Sequence, residues 1–288
     1  MDLNDLLTKT GIEPKSVLVL RHRPSEPELR KVLPWLAAEK PEVYNGYQQA
    51  QWPKIERAMT RAKYVASFIG HEPRKALFIG LYDLRGWKSV SFGEFWRIPA
   101  NIALKSFGMT GLTDRQSSRL WFDLRTNGSY SEWKGKLIVH WPGLERSWWR
   151  WADRNTISVA AILQDSLLDE EMKPWNEVAI TWSALKFLPT KWRAALSQWR
   201  GIYLIIDVSD GKSYVGSAYG GDNLLGRWLN YASSRHGGNS QLRKRSPDNF
   251  RFSILELVSP NMEMVDVIRL ESLWKDRLHT RTFGLNDN

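Results

Sequence analysis

The residues best suited to chemistry lie between positions 201 and 288. Two phenols sit on the arms of a short hairpin pattern. Tyr203 belongs to Gly201-Ile-Tyr-Leu-Ile-Ile206, and Tyr214 belongs to Ser213-Tyr-Val-Gly-Ser217. The turn-rich stretch Asp207-Val-Ser-Asp-Gly-Lys212, with its Asp-Gly pair, separates them. Farther along, Arg227 and Tyr231 are four residues apart, so a helix would project both from one face. Val267, Glu271, Trp274 and Leu278 recur at helical spacing, which puts Glu271 on a stripe facing the core. A buried carboxylate is unfavourable unless it is paired or binds a metal. Glu271 therefore reads as an acid lining a site, with a structural glutamate paired to an internal arginine as the alternative. For the tyrosines the alternative is simple hairpin packing, since Tyr suits strands. A phenol titrates near pH 10, so it acts as a base only where cations favour the phenolate. Lys212 and Arg227 are the cations proposed for that effect.

Positioning these residues takes a compact α+β unit. The hairpin is followed by a helix from Asp222 to Ser234, with Asp222 as N-cap and Leu224, Leu225, Trp228 and Ala232 facing the sheet. A basic loop, His236 to Arg245, leads to a third strand, Phe250 to Val258, and a last helix from Met262 to Leu278.

Gly201-Ile202-Tyr203 and Tyr214-Val215-Gly216 resemble the two signature triplets of the GIY-YIG nuclease family, with Val215 in place of isoleucine. The resemblance covers residues 198 to 288 and implies a three-stranded antiparallel sheet flanked by helices. It implies that Arg227 is the catalytic arginine of the first helix, that Tyr231 follows one turn later, and that His236 is a further candidate. It also implies that Glu271 binds the metal and that Asn286, in Phe283-Gly-Leu-Asn286, buttresses the site. In that chemistry Tyr203 is expected as general base or water orienter, with Tyr214 assisting. Arg227 would hold the scissile phosphate through its planar fork. The cofactor expected is Mg²⁺ (or Mn²⁺), one ion per active site, held by Glu271 with waters and phosphate oxygens.

The net charge is +10, which favours polyanionic partners. Residues 201–288 hold 11 Lys and Arg against 10 Asp and Glu, which leaves +9 for the first 200 residues. Tryptophan follows the same bias, with 14 of 16 before position 201. A broad anion-gripping surface is thus expected in the N-terminal part. The domain limits are set at residues 1–185 and 186–288.

The N-terminal part opens with a helix, Asp2 to Lys9, and a strand, Ser16 to Arg21. Ser25 and Glu28 have the spacing of a capping box for the next helix, which Pro34 is expected to kink or end. A helix over Pro53 to Tyr64 precedes strands at Ala76 to Tyr82, Leu120 to Leu124 and Lys136 to His140. These predict an α+β domain with a curved or barrel-like sheet. Trp141, Trp148, Trp149 and Trp151 are either core or the lining of a pocket for a flipped base, as in PUA-like readers. The proposed DNA contacts are Lys212, Arg235, Arg243, Lys244, Arg245, Trp148 and Trp149; solvated loops are the alternative for the basic residues.

Cysteine is absent, so disulfides and thiolate zinc sites are excluded, and a cytoplasmic location is the simplest expectation. No apolar run is long enough to span a membrane. The reading is a site-directed, metal-dependent endonuclease of double-stranded DNA, of the restriction or modification-dependent, phage-defence kind. Cutting both strands would take a homodimer or two successive nicks. A homing or repair endonuclease is the alternative enzyme, and an inactive DNA-binding protein the alternative of another class.

Overall fold

The computed structural model describes residues 1–288 apart from 144–146, 170, 222 and 288. The Asp222 N-cap assignment thus lies outside the described residues. The chain forms two compact units, 1–169 and 170–288. The division falls earlier than residue 185 for a structural reason. Residues Ala179–Thr181 pair with a C-terminal strand, and Trp182, Leu185 and Leu188 pack into the C-terminal core.

The first unit runs α1 (Leu3–Lys9), β1 (Val17–His22), α2 (Pro27–Glu39), α3 (Pro41–Gln49), α4 (Pro53–Met59), β2 (Tyr64–Gly70) and β3 (Lys75–Ser91). It continues with α5 (Phe92–Phe95), α6 (Pro99–Ser106), β4 (Ser118–Asn127), β5 (Leu137–His140), β6 (Trp149–Trp151) and β7 (Val159–Ile162). The strands form one curled, half-barrel sheet in the order β6-β1-β2-β3-β5-β7, with β4 on the second half of β3. Only β1 and β2 are parallel among these pairs. The long β3 carries register shifts near Phe78–Gly80 and Leu84–Gly86, which let one strand serve β2 and β5 at one end and β4 at the other.

Two local expectations give way here and a third is narrowed. The cap of α2 is Glu26 rather than Ser25, because Pro27 takes the first helical position with its φ already set. Pro34 does not end α2, which runs on to Glu39. The helix from Pro53 stops at Met59, and Tyr64 opens β2 instead.

The second unit contains β8 (Ala179–Thr181), α7 (Thr190–Gln198), β9 (Arg200–Asp207), β10 (Ser213–Ala218), α8 (Asn223–Ser234), α9 (Ser240–Arg243), β11 (Phe250–Val258) and α10 (Met264–Arg277). Its antiparallel sheet has four strands, β10-β9-β11-β8, where three were expected. The signature glycines have steric jobs in this sheet. A Cβ on Gly201 would stand 2.3 Å from the Glu256 carbonyl oxygen, beside the bulge in β11. A Cβ on Gly216 would stand 2.4 Å from the Tyr203 hydroxyl, its cross-strand neighbour. Leu224, Trp228 and Tyr231 of α8 are fully buried on the sheet.

Candidate active site

An open cleft of about 540 Å³ lies against the second unit's sheet, lined by Tyr214, Ser217, Asn223, Arg227, Asn230 and Glu271. Three elements supply the reactive groups: β10 brings Tyr214 and Ser217, α8 brings Arg227, and α10 brings Glu271.

Tyr203 stands behind this cleft. It is fully buried, and its hydroxyl lies 3.1 Å from that of Tyr231. Arg227 Nε donates to the same hydroxyl at 3.2 Å, and the guanidinium carbon sits 5.5 Å from the Tyr231 ring centroid. Burial pushes the Tyr203 phenol up from its ordinary pKa, and the neighbouring Tyr214 adds to the rise. Arg227 pulls the other way without offsetting it. Tyr231 is also driven upward, by burial first and then by Tyr203 and Tyr214. The cation effect expected to favour a phenolate at Tyr203 is therefore outweighed by desolvation. Lys212 is exposed in the hairpin turn, where its backbone amide donates to Asp210 Oδ1, and does not line the cleft.

The Glu271 side chain is 17% exposed, and both of its oxygens are engaged. Lys275 Nζ is 2.8 Å from Oε1, and Ser217 Oγ donates to Oε2. The stripe of α10 differs from expectation at its end. Lys275 is buried, whereas Leu278 lies past the helix and is exposed. Trp274 is half-buried, and its ring N–H donates to Glu256 at 2.8 Å. The i, i+4 spacing of Glu271 and Lys275 was visible in the sequence, and so was Ser217 directly after the second triplet. Neither was singled out, because a lysine on a core stripe reads as surface.

Asn286 is buried and acts on β10 as a strand partner would. Its Oδ1 accepts from Val215 N–H and its Nδ2 donates to Val215 C=O, both at 2.9 Å. With Leu285 N–H donating to Ser213 C=O at 2.9 Å, the C-terminal segment satisfies the outer edge of β10.

The remaining basic-loop residues are not drawn into the cleft. His236 Nδ1 accepts from Gly238 N–H at 2.9 Å in the turn after α8 and does not line it. Arg235, Arg243 and Lys244 are exposed. Arg245 is held by Asp207 at 2.7 Å and Asp210 at 2.9 Å, with only 18% of its side chain exposed, so its fork is committed to the hairpin turn. In the first unit Trp149 packs against core, whereas Trp148 lines a cavity.

Among the described residues no three His, Cys, Asp or Glu cluster as a ready metal cage. A lone cleft carboxylate still suits Mg²⁺, which keeps much of its water and takes oxygens from the substrate. No helix among the described residues is long and apolar enough to cross a membrane.

Residues 200–286 match the family model of the GIY-YIG catalytic domain. Two solved structures resemble part of the chain. One, a mutant of the catalytic domain of intron endonuclease I-TevI, is 26% identical over 32% of this chain and 95% of its own, with a TM-score of 0.27. The other, the catalytic domain of homing endonuclease I-TevI, is 28% identical over 30% of this chain and 96% of its own, with a TM-score of 0.26. No curated protein matches the sequence.

Proposed function

With a GIY-YIG catalytic domain, and hence a nuclease, occupying residues 200–286, we propose that this protein is a metal-dependent, site-directed DNA endonuclease of a restriction or phage-defence system. One observation carries the chemical part: a phenol, a guanidinium and a carboxylate from three separate elements line one cleft.

Arg227 binds the scissile phosphate, since its planar fork fits two oxygens and its Nε is anchored by Tyr203. Tyr214 faces the cleft, so its hydroxyl orients the attacking water or takes its proton. Tyr203 and Tyr231 position Arg227 from behind. Glu271 holds the divalent ion, with Ser217 and Lys275 fixing its carboxylate. That ion, when bound, stabilises charge on the phosphate and on the departing oxygen. Asn286 keeps β10 in register beneath Tyr214. One cleft serves one strand, so a double-strand break takes two chains or two successive nicks.

Residues 1–169 supply target choice. The support is the +7 charge of residues 1–169, with 25 Lys and Arg against 18 Asp and Glu, and a groove beside Trp87 where Arg85, Lys88 and Arg125 outnumber the one acid, Asp123. Incubation with supercoiled plasmid tests the activity: nicked or linear product in Mg²⁺, and none in EDTA. A folded protein that leaves plasmid intact in both Mg²⁺ and Mn²⁺ is no nuclease. Sequencing the cut ends from methylated and unmethylated genomic DNA tests the restriction role; random ends on both would sink it.

A further inference from the structure

The first unit contains a cavity of about 100 Å³, walled by Tyr47, Phe95 and Trp148, with Trp52 exposed at its rim. Its size narrows the occupant. Sites for drug-sized ligands start at about 300 Å³, whereas a cavity on the order of 150 Å³ takes a single benzene ring. Aromatic walls suit a flat ring that can stack.

Two polar groups define which ring. Glu26 is fixed in place: Oε1 accepts from Thr110 N–H at 3.2 Å and from Thr110 Oγ1 at 2.7 Å, and Oε2 accepts from Ser25 Oγ at 3.1 Å. Burial pushes this carboxyl up, but the Thr110 and Ser25 bonds outweigh it and hold the group below its ordinary range. It is thus an ionised acceptor with one lone-pair site left, on Oε2. Tyr47 lies next to that charge, and its hydroxyl has no hydrogen-bond partner among the described residues. A carboxylate beside a free hydroxyl fits an edge that offers an amino group next to a ring nitrogen or carbonyl. Cytosine and adenine both present that edge, thymine puts a carbonyl where the amino group would be, and the single-ring size of the cavity selects cytosine.

Charge argues for a base on a strand rather than a free ring. Arg119 stands at the rim, 5.1 Å from the Trp52 ring centroid, within reach of a backbone phosphate that a free pyrimidine lacks. Among the tryptophans singled out in the sequence, only Trp148 lines the cavity. Trp141 and Trp151 are buried in the core, and Trp149 packs against it.

We propose that this cavity receives one cytosine-type base turned out of the DNA stack, with Glu26 accepting from its amino group, Tyr47 donating to its ring edge and Trp148 stacking on its face. The inference rests on residues 1–169 being the DNA-recognising part. The test uses the full chain in EDTA and a short duplex carrying an ordinary cytosine opposite an abasic site, with 2-aminopurine as its stacked neighbour, which brightens when that cytosine leaves the stack. Anisotropy of an end label reports binding separately. The expected result is a severalfold rise in emission on binding. Glu26→Gln and Tyr47→Phe should each weaken that response about tenfold, the loss of one hydrogen bond to a charged or polar partner, and Trp148→Ala should abolish it. Binding without any rise in emission, or an unchanged rise in Glu26→Gln and Tyr47→Phe, overturns the pocket and leaves the DNA-binding assignment standing. No anisotropy change with any duplex overturns that assignment and the pocket with it.

Discussion

The two units use aromatic side chains in opposite ways. In the second, Tyr203, Tyr231 and Trp228 are sealed in a core immediately behind the cleft, and Tyr214 and Tyr219 line the substrate side. In the first, Trp141 and Trp151 fill the core, while Tyr47, Trp52 and Trp148 border a cavity. The nuclease unit therefore uses its buried rings to hold a guanidinium in place, and the first unit leaves ring faces open to a ligand. Identical residue types do different work according to whether their polar ends find partners inside. The Tyr203 hydroxyl has Tyr231 and Arg227, whereas that of Tyr47 has none among the described residues.

The sharpest break of this contrast lies in the cleft. Glu271→Ala should lower plasmid cleavage in Mg²⁺ by about 10²–10³-fold, the usual effect of losing one group that stabilises transition-state charge. Because the change also removes the carboxylate paired with the buried Lys275, a melting curve must accompany it, and Glu271→Gln preserves shape as a control. Unchanged cleavage in a folded Glu271→Gln protein would remove the metal role. Tyr214→Phe and Tyr203→Phe separate the phenol that borders the cleft from the one sealed behind it. Tyr214→Phe should slow cleavage by about 10²-fold with a smaller loss of stability than Tyr203→Phe, since its hydroxyl meets Tyr231 but not Arg227 Nε. Tyr203→Phe should instead destabilise by about 1–3 kcal/mol, because the Tyr231 hydroxyl and Arg227 Nε lose a partner. Cleavage rates and denaturant melts read both, and the reverse pattern would make Tyr203 the residue that meets the water. Gly216→Ala probes the same packing more gently. It should destabilise by about 1–3 kcal/mol through the clash with Tyr203, and a melt equal to the parent's would show that the ring can yield.

Much of the second unit was legible in the sequence, because its site is specified by residue type and order. Spacing placed a tyrosine on each hairpin arm, Arg227 and Tyr231 on one helix face and Glu271 on a core-facing stripe, and the resemblance to the GIY-YIG family grouped them. The cleft holds Tyr214, Arg227 and Glu271 together. The burial of Tyr203 was not legible. Period-two alternation says that Tyr203 faces one side of the sheet, but not that α8 covers that side. The engagement of Arg245 was equally hidden, since its partners Asp207 and Asp210 lie 38 and 35 residues away. Strand β8 was missed because three residues carry little periodic signal, and its partner β11 follows some 70 residues later. In the first unit the sequence predicted a curved sheet rich in aromatics, yet it could not sort core tryptophans from cavity ones. That sorting depends on long-range packing between α3, β4 and the segment before β6.

The gentlest way to set the two units apart is pH. His22 in β1 is buried, edge-on to Tyr44 and Tyr47, with Nε2 3.3 Å from Gln48 Oε1. Burial pulls its pKa down from 6.5 to about 4, and the Gln48 contact offsets only part of this. The unfolded chain therefore takes up this proton at higher pH than the folded one does. Stability is full above pH 6.5 and drains away as pH falls toward 4, where the folded imidazole also protonates and the loss levels off. In the second unit, Asp207 has its carboxyl held below its ordinary value of 3.8: burial raises it, but the Ser209 and Arg245 bonds outweigh that. Its contribution is present above pH 3.8 and is lost only as acid drives the pH lower. Between pH 6.5 and 4 the first unit should accordingly soften while the second keeps its protection. Hydrogen exchange resolved by peptide reads each unit in one sample. In His22→Gln the first unit should lose its slope across that window. A slope that survives in the variant would place the acid sensitivity on other groups.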